Sequence, residues 1–300
     1  MSKRIVIVLI VLLPALLFAG GKKEGVSEKP VVVVSILPHA FFVEELGGSD
    51  VDVLTLVGEG QNPHSYEPSP SQIARLSKAR VWILSGTEFE LALKPKIQNM
   101  YPNLVLIDGT EGMVFRQLEE DHHHDDDDDH HHEHDPLNID RHTWLGHDQV
   151  KVFLGHALAA LTDLLSENGK VFEDRHGVLV DRIDELFAEL KEDLAPLSGQ
   201  PVFVYHPAFG YLLDDLNLIQ VAVETGGKEP TAKDLASLVE LAKREHPKAI
   251  FVQKQFPVAS AQAVADAVGS AVVPLDPLAY DWLANIRMIG DALLESGGRK

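Results

Sequence analysis

Short apolar runs alternate with amphipathic stretches from residue 30 to the end of the chain. This alternation is typical of strands and helices in a mostly parallel α/β sheet. The apolar runs predict eight strands in two groups of four, near residues 31–36, 51–56, 81–84 and 104–107, and near 202–205, 218–223, 249–252 and 271–274. We therefore predict an α/β protein with two lobes, each built on a four-stranded and mostly parallel sheet.

Two helices are signalled most clearly. Ser69, Pro70 and Gln72 supply an N-cap, a proline at the first helical position and a capping-box partner, which predicts a helix from Pro70 to about Ala79. The longest periodic segment covers residues 170–197, with apolar residues at helical spacing. Such a helix would extend roughly 40 Å. We predict that it joins an N-terminal lobe (30–165) to a C-terminal lobe (198–300) as a rigid spine.

The start of the chain has the pattern of a secretory signal peptide. Lys3 and Arg4 precede an apolar run from Ile5 to Phe18, and small residues follow. We expect residues 1–20 to be removed and the protein to act in the periplasm or another extracytoplasmic space; a permanent anchor is the alternative, although the run is shorter than the roughly 20 residues of a spanning helix. The chain contains no cysteine, so we expect neither a cysteine-lipidated lipoprotein nor thiolate metal ligands.

Residues 119–135 contain only histidine and acidic side chains, seven of the former and ten of the latter. Because this segment has no apolar residue to bury, we predict a disordered surface loop inserted in the first lobe. One hypothesis is that it traps zinc weakly near the binding site, and the alternative is a solvated spacer. The formal charge of −20 argues against a nucleic acid partner, because a phosphate backbone requires a basic surface.

Three candidate metal ligands follow predicted strands. His64 lies in the segment NPHSYEPSP, His206 ends the run VFVYH, and Asp276 lies in VVPLDPL. In open α/β sheets, ligands bind at the carboxyl ends of the strands, where these residues would lie. His142, in DRHTWLGHD, precedes a predicted helix that begins near Asp148, but its loop position alone does not single it out.

Four stretches resemble the zinc- and manganese-specific solute-binding proteins of ABC importers, the family called cluster A-I or cluster 9. They are NPHSYEPSPSQIARLSKARVWILSG, DRHTWLG, VYHPAFGYLLDDLNL and PLDPLAYDWLANIRMIGDAL. The resemblance implies two Rossmann-like lobes joined by a long helix, with the metal between them. It also implies the ligand set His64, His142, His206 and Asp276.

The composition of this ligand set favours Zn²⁺. Zinc takes tetrahedral nitrogen and oxygen ligands, so three imidazoles and one carboxylate suit it. Mn²⁺ prefers more oxygen, and manganese-binding members of the family typically have a carboxylate where this chain has His206. Nickel, copper and cobalt stay open as alternatives, because imidazole binds all of them.

Three further residues are candidates for lesser roles near the metal. The usual family motif WLSP is WLGH here, so His147 could compete as a ligand. His39 follows the first predicted strand and either lines the cleft or serves the start of a helix. Glu67 is a candidate for the hydrogen bond that orients the His64 ring, with ordinary solvation as the alternative.

The resemblance implies a protein that captures extracytoplasmic Zn²⁺ and delivers it to a membrane permease. The sequence has no GxxxxGK[ST] motif and no set of spanning segments, so ATP hydrolysis and translocation would belong to the permease and ATPase partners. We expect a monomer that is not an enzyme. The alternatives are a zinc hydrolase, disfavoured by the expected fourth ligand and the lack of HExxH, and an adhesin or extracellular zinc buffer.

Overall fold

The computed structural model describes residues 29–118, 139–224, 232–256 and 259–297. The predicted signal peptide and the histidine- and acid-rich segment at 119–135 lie outside these residues. Within the described ranges, no helix combines the length and the apolar character that a membrane crossing requires.

Two parallel sheets of four strands form the framework. The first sheet has the order β2-β1-β3-β4 and the second the order β6-β5-β7-β8. The strands are β1 (Val31–Val34), β2 (Asp52–Thr55), β3 (Ala79–Leu84), β4 (Val105–Asp108), β5 (Pro201–Val204), β6 (Ile219–Ala222), β7 (Ala249–Gln253) and β8 (Ala271–Leu275). The strand order reverses between β1 and β3 in the first sheet and between β5 and β7 in the second. Each reversal creates a crevice at the carboxyl ends of the strands. The predicted two-lobed α/β fold is confirmed.

Nine α-helices of the described ranges surround the sheets. They are α1 (Leu37–Gly47), α2 (Pro70–Leu76), α3 (Glu88–Met100), α4 (His147–Leu164), α5 (Gly169–Leu194), α6 (Gly210–Asp215), α7 (Ala232–Glu245), α8 (Ala259–Val268) and α9 (Trp282–Gly297). The predicted capping box of α2 is present, with Ser69 and Gln72 bonded reciprocally. The prediction that α2 reaches Ala79 is wrong, because Ala79 already pairs with Val31 in the sheet.

The spine predicted from the periodic segment is α5. It starts one residue before the predicted range and its α-helical part ends at Leu194, because Pro196 lacks the N–H that would continue the helical hydrogen bonds. The apolar residues that gave the periodicity are all buried: Leu179, Ile183, Leu186, Phe187, Leu190 and Leu194. Neighbouring helices α4, α9 and α1 pack against α5.

One hydrophobic core runs through both lobes and the spine. The last helix connects the two lobes within this core. The ring of Trp282 in α9 lies 5.2 Å from that of Phe42 in α1 and 6.2 Å from that of Phe187 in α5, measured between ring centroids. A smaller cluster that includes Phe203 and Ile250 covers the other face of the second sheet. The lobes are therefore packed against each other as well as joined by the chain.

Candidate metal centre

Three histidines converge at the crevice between the lobes. His64 lies in a one-turn helix after β2, His142 directly precedes another, and His206 follows β5. The Nε2 atom of His206 lies 3.0 Å from that of His64 and 3.1 Å from that of His142. Within the described ranges, these residues form the one group of three or more potential metal ligands whose ligand atoms all lie within 4.8 Å of one another.

The spacing of these nitrogens suits a zinc ion. With Zn–N bonds of about 2.0 to 2.1 Å, two nitrogens of a tetrahedral site lie about 3.3 Å apart. The three imidazole rings are steeply inclined to one another, with interplanar angles of 62°, 71° and 77°. Each ring can therefore direct its Nε2 lone pair to a common point without stacking on its neighbours.

A carboxylate lies behind each of the three imidazoles. The Nδ1 atoms of His142, His206 and His64 lie 2.7, 2.7 and 3.3 Å from oxygens of Asp140, Glu224 and Glu88, respectively. A carboxylate at this position holds the proton on Nδ1 and leaves the Nε2 lone pair free for a metal. It also supplies negative charge close to the bound cation.

The three histidine and carboxylate pairs differ in exposure. His142 and His206 are each 5% exposed, and their partners Asp140 and Glu224 are 0% and 3% exposed. The side chain of His64 is 32% exposed, and that of Glu88 is 46% exposed. Solvent therefore reaches the centre from the side of His64.

Burial also favours the uncharged form of a ligand. Burial lowers the pKa of His206 to about 4; the charges of His142 and His64 act in the same direction, and the Glu224 carboxylate opposes them. Burial raises the pKa of Glu88, but the hydrogen bond and the charge of His64 outweigh it and lower that pKa to about 2. At neutral pH the His206 ring is therefore neutral, and Glu88 is ionised.

Hydrogen bonds to the backbone hold two of the three histidines in position. The Asn62 side chain accepts a hydrogen bond of 2.9 Å from the backbone N–H of His64. Gln253, which is 1% exposed, bonds the backbone of His206 twice: its Nε2 donates to the carbonyl at 2.6 Å, and its Oε1 accepts from the N–H at 3.3 Å. The His206 ring also stacks on Phe256 at a centroid distance of 4.5 Å.

Asp276 does not join the cluster of ligand atoms. Its Oδ1 accepts hydrogen bonds of 3.0 Å from the Gln255 side chain and from the backbone N–H of Leu278. Gln255 and Leu278 line the same cavity as the three histidines, so Asp276 lies behind the wall of the site. The structure thus brings three of the four predicted ligands together, and the role of Asp276 as a ligand stays a prediction.

His39 and Glu67, two of the candidates for lesser roles near the metal, are not members of the cluster. His39 is buried in α1, where its Nδ1 lies 2.6 Å from the Ser85 hydroxyl and its ring stacks on Phe153. Burial lowers the pKa of His39 to about 3, so this ring is a neutral core residue. Glu67 is exposed, and the carboxylate that pairs with the His64 ring is Glu88. Of the two alternatives for Glu67, the orienting role is therefore wrong, and ordinary solvation fits its exposure.

The carboxylates behind the rings were missed in the sequence, although some local signals exist. Asp140 stands two residues before His142, a spacing that allows a carboxylate to bond both the N–H and the ring of that histidine. Glu224 closely follows β6, and Glu88 begins α3. Many other acidic residues occupy similar positions, so these signals select no residue without the fold.

His147 points away from the cluster. Its backbone N–H donates to Asp215 at 2.8 Å, and its Nδ1 and Nε2 lie 3.0 and 2.7 Å from oxygens of Asp148 and Asp184. These contacts join α4 to α5 and α6. The ring also lies 4.8 Å from that of Phe187.

We expect His147→Ala to bind one zinc ion with unchanged affinity but to lower the free energy of unfolding by about 1–3 kcal/mol, because partly buried hydrogen bonds are lost. Zinc titration and urea unfolding of the metal-free protein measure the two effects. His156→Ala is the control on the same helix, because the exposed contact from its Nε2 to the Glu111 carbonyl should contribute less to stability. Loss of tight zinc binding in His147→Ala would show instead that His147 is a ligand.

The chain matches known proteins over most of its length. The family model described as zinc-uptake complex component A, periplasmic (ZnuA), matches residues 32–295. A putative metal-binding protein of Chlamydia trachomatis is 25% identical over 90% of this chain and 92% of its own length. The zinc-binding lipoprotein AdcA of Streptococcus pneumoniae is 26% identical over 92% of this chain, which spans only 55% of that lipoprotein.

Solved structures give the same result. A crystal structure of ZnuA is 31% identical, with a TM-score of 0.82 over 90% of this chain and 100% of that chain. A zinc-bound ZnuA deletion mutant is 30% identical, with a TM-score of 0.82 over 91% of this chain and 100% of that chain. The predicted resemblance to the zinc-binding branch of the solute-binding proteins is confirmed. Since the family model covers nearly all of the residues outside the predicted signal peptide, the chain belongs to the ZnuA family of periplasmic zinc-uptake components.

Proposed function

We propose that this protein captures Zn²⁺ outside the cytoplasmic membrane and delivers it to the permease of an ABC importer. The observation that carries the proposal is the convergence of three Nε2 atoms in the crevice, each on a ring whose Nδ1 faces a carboxylate. Three imidazoles match the preference of zinc, whereas Mn²⁺ prefers a site with more oxygen.

His64, His142 and His206 are the proposed ligands, each through Nε2. Asp276 is the proposed fourth ligand, through Oδ2, because its Oδ1 already accepts two hydrogen bonds. Binding through Oδ2 requires this carboxylate to come closer to the histidines, because Asp276 is not a member of the group of ligand atoms within 4.8 Å of one another.

A carrier suits this site better than a hydrolase. A catalytic zinc site needs a base that can reach the metal-bound water. Each of the three carboxylates bonded to the histidines lies on the Nδ1 side of its ring, away from the point where the Nε2 atoms meet. These carboxylates therefore orient the ligands and add negative charge, and none of them is placed to take a proton from a metal-bound water.

The remaining parts of the proposal concern the surroundings of the protein. The permease and the ATPase of the importer supply translocation and ATP hydrolysis, and the carrier works as a monomer. It is exported by the segment at residues 1–20 and is not lipidated, because the chain has no cysteine. The histidine- and acid-rich segment at 119–135 collects zinc near the crevice by weak, multiple contacts.

Native mass spectrometry with metal analysis tests the proposal. We expect the metal-free wild type to take up one tightly held zinc ion and a variant without residues 119–135 to do the same. Zinc uptake by cells at limiting zinc should require the protein, and the deletion should reduce this uptake. A wild type that holds no tight zinc contradicts the carrier function, turnover of ester or peptide substrates supports a hydrolase, and unchanged uptake by the deletion variant contradicts the trap.

A further inference from the structure

One hydroxyl group of the second lobe contacts the part of the first lobe that carries a metal ligand. Tyr211 belongs to α6 and is 5% exposed. Its hydroxyl accepts a hydrogen bond of 2.9 Å from the backbone N–H of Arg116 and donates one of 2.8 Å to the backbone carbonyl of Asp140. Both positions precede α4 and lie in the first lobe, so this oxygen links the lobes.

The two residues that Tyr211 bonds are themselves joined. The backbone N–H of Asp140 donates to the carbonyl of Arg116 at 2.8 Å, and Gln117 pairs with Ile139 in an antiparallel bridge. The backbones at 116 and 140 therefore form one unit. A displacement of the backbone at one of these positions therefore displaces the backbone at the other.

The side chain of Arg116 adds a second link to α6. Its Nε donates to the Asp214 carboxylate at 2.8 Å, and its Nη1 lies 3.7 Å from Oδ2 of Asp140. A Cβ atom at Gly210 would lie 2.7 Å from the guanidinium carbon of Arg116. Glycine at position 210 thus leaves the space in which the guanidinium group lies against α6.

The Asp140 side chain holds the proposed ligand His142 in place. Its carboxylate is fully buried, and Oδ1 accepts hydrogen bonds from the backbone N–H of His142 at 3.0 Å and from the ring Nδ1 at 2.7 Å. The next part of the chain is also held by the second lobe. The indole N–H of Trp144 donates to the Pro277 carbonyl at 2.9 Å, and that of Trp282 donates to the Trp144 carbonyl at 2.7 Å.

We propose that Tyr211 is a positioning residue of the zinc site, which acts through Asp140 to hold the His142 ring beside that of His206. This inference rests on the proposed zinc function. It means that the segment from Asp140 to Trp144 is held in place by the second lobe, although it belongs to the first lobe in chain order. Contact between the lobes and the position of one ligand are therefore coupled.

Tyr211→Phe removes the hydroxyl and keeps the ring. We expect this variant to bind zinc about tenfold more weakly, at the low end of the effect of losing an outer partner of a metal ligand. The absorption bands of the Co²⁺-loaded protein, which report the geometry of the ligands, should also change. Tyr101→Phe is the matched control, because the hydroxyl of Tyr101 donates to the Ile73 carbonyl at 2.9 Å and takes no part in the metal centre.

A double-mutant cycle tests the route of the effect. If Tyr211 acts through the Asp140 carboxylate, then adding Tyr211→Phe to Asp140→Asn should weaken zinc binding by less than twofold more. Gly210→Ala, which displaces the Arg116 guanidinium without removing a polar group, should weaken binding as well. Gly155→Ala is its control, because a Cβ at that position would have no atom within 4 Å apart from its chain neighbours and the backbone of its own helix.

The outcomes separate this inference from the proposed function. A wild type without a tight zinc ion overturns the function itself. A wild type that binds zinc, with a Tyr211→Phe variant that matches it in affinity and in the cobalt spectrum, overturns only the positioning role. Full additivity with Asp140→Asn overturns the proposed route. If Tyr211→Phe does not fold, unchanged zinc binding in Gly210→Ala overturns the positioning role, and weaker binding supports it.

Discussion

His206→Ala is expected to weaken zinc binding by at least about 100-fold, because a structural zinc site of four ligands contributes about 10–16 kcal/mol and one nitrogen ligand is lost. His206 is the centre of the cluster, since its Nε2 lies 3.0 and 3.1 Å from the other two Nε2 atoms. The two remaining rings cannot enclose the ion. Competition with a chromogenic chelator measures the affinity.

The control for this variant is His156→Ala. His156 is bonded through Nε2 to the backbone carbonyl of Glu111 and is not a member of the cluster. It should keep the wild-type zinc affinity. A His206→Ala protein that still holds zinc as tightly as the wild type would show that the three histidines are not the site.

Glu224→Gln should weaken zinc binding by about 10–100-fold, although Glu224 need not touch the metal. The carboxylate lies 2.7 Å from Nδ1 of His206 and is 3% exposed. Replacing this carboxylate with an amide removes the negative charge beside the His206 ring. If its NH₂ group turns toward the ring, it also favours the tautomer with the proton on Nε2, which cannot bind a metal.

Glu67→Gln provides the comparison for this prediction. Glu67 is close to His64 in the chain but exposed, so the same chemical change should leave the zinc affinity within about twofold of the wild type. Urea unfolding of the metal-free proteins checks that each variant folds. Equal zinc affinity in Glu224→Gln and the wild type would mean that the carboxylate does not orient the ligand.

Local patterns were sufficient to predict the eight strands, the spine and the start of α2. The eight strands lie within two residues of their predicted bounds, because buried parallel strands are continuous apolar runs. The apolar residues of α5 that gave the helical period, from Leu179 to Leu194, are all buried. The capping box of α2 depends only on residues 69–72, and the structure forms it. These features are set by side chains close together in the chain.

The four candidate ligands differ in how far a local pattern predicts their position. His64 and His206 follow strands, and parallel strands place their carboxyl ends at one edge of a sheet, so their position in the crevice could be predicted from the pattern. His142 depended on the family resemblance. Asp276 also follows a strand, but its carboxylate bonds Gln255 and the turn at Leu278, a packing detail that no local pattern contains.

The sequence by itself therefore determined the strands, the spine and the residue types that could bind zinc. Only the tertiary structure decided which of them meet. His64 and His206 are 142 residues apart, and their Nε2 atoms come within 3.0 Å because α5 and α9 pack the two lobes into one core. The same packing selects Asp140, Glu224 and Glu88 from 46 acidic residues and places Tyr211 beside Asp140. The physical reason is that periodicity reports the environment of each residue, whereas the partner of a polar side chain depends on how distant elements are packed.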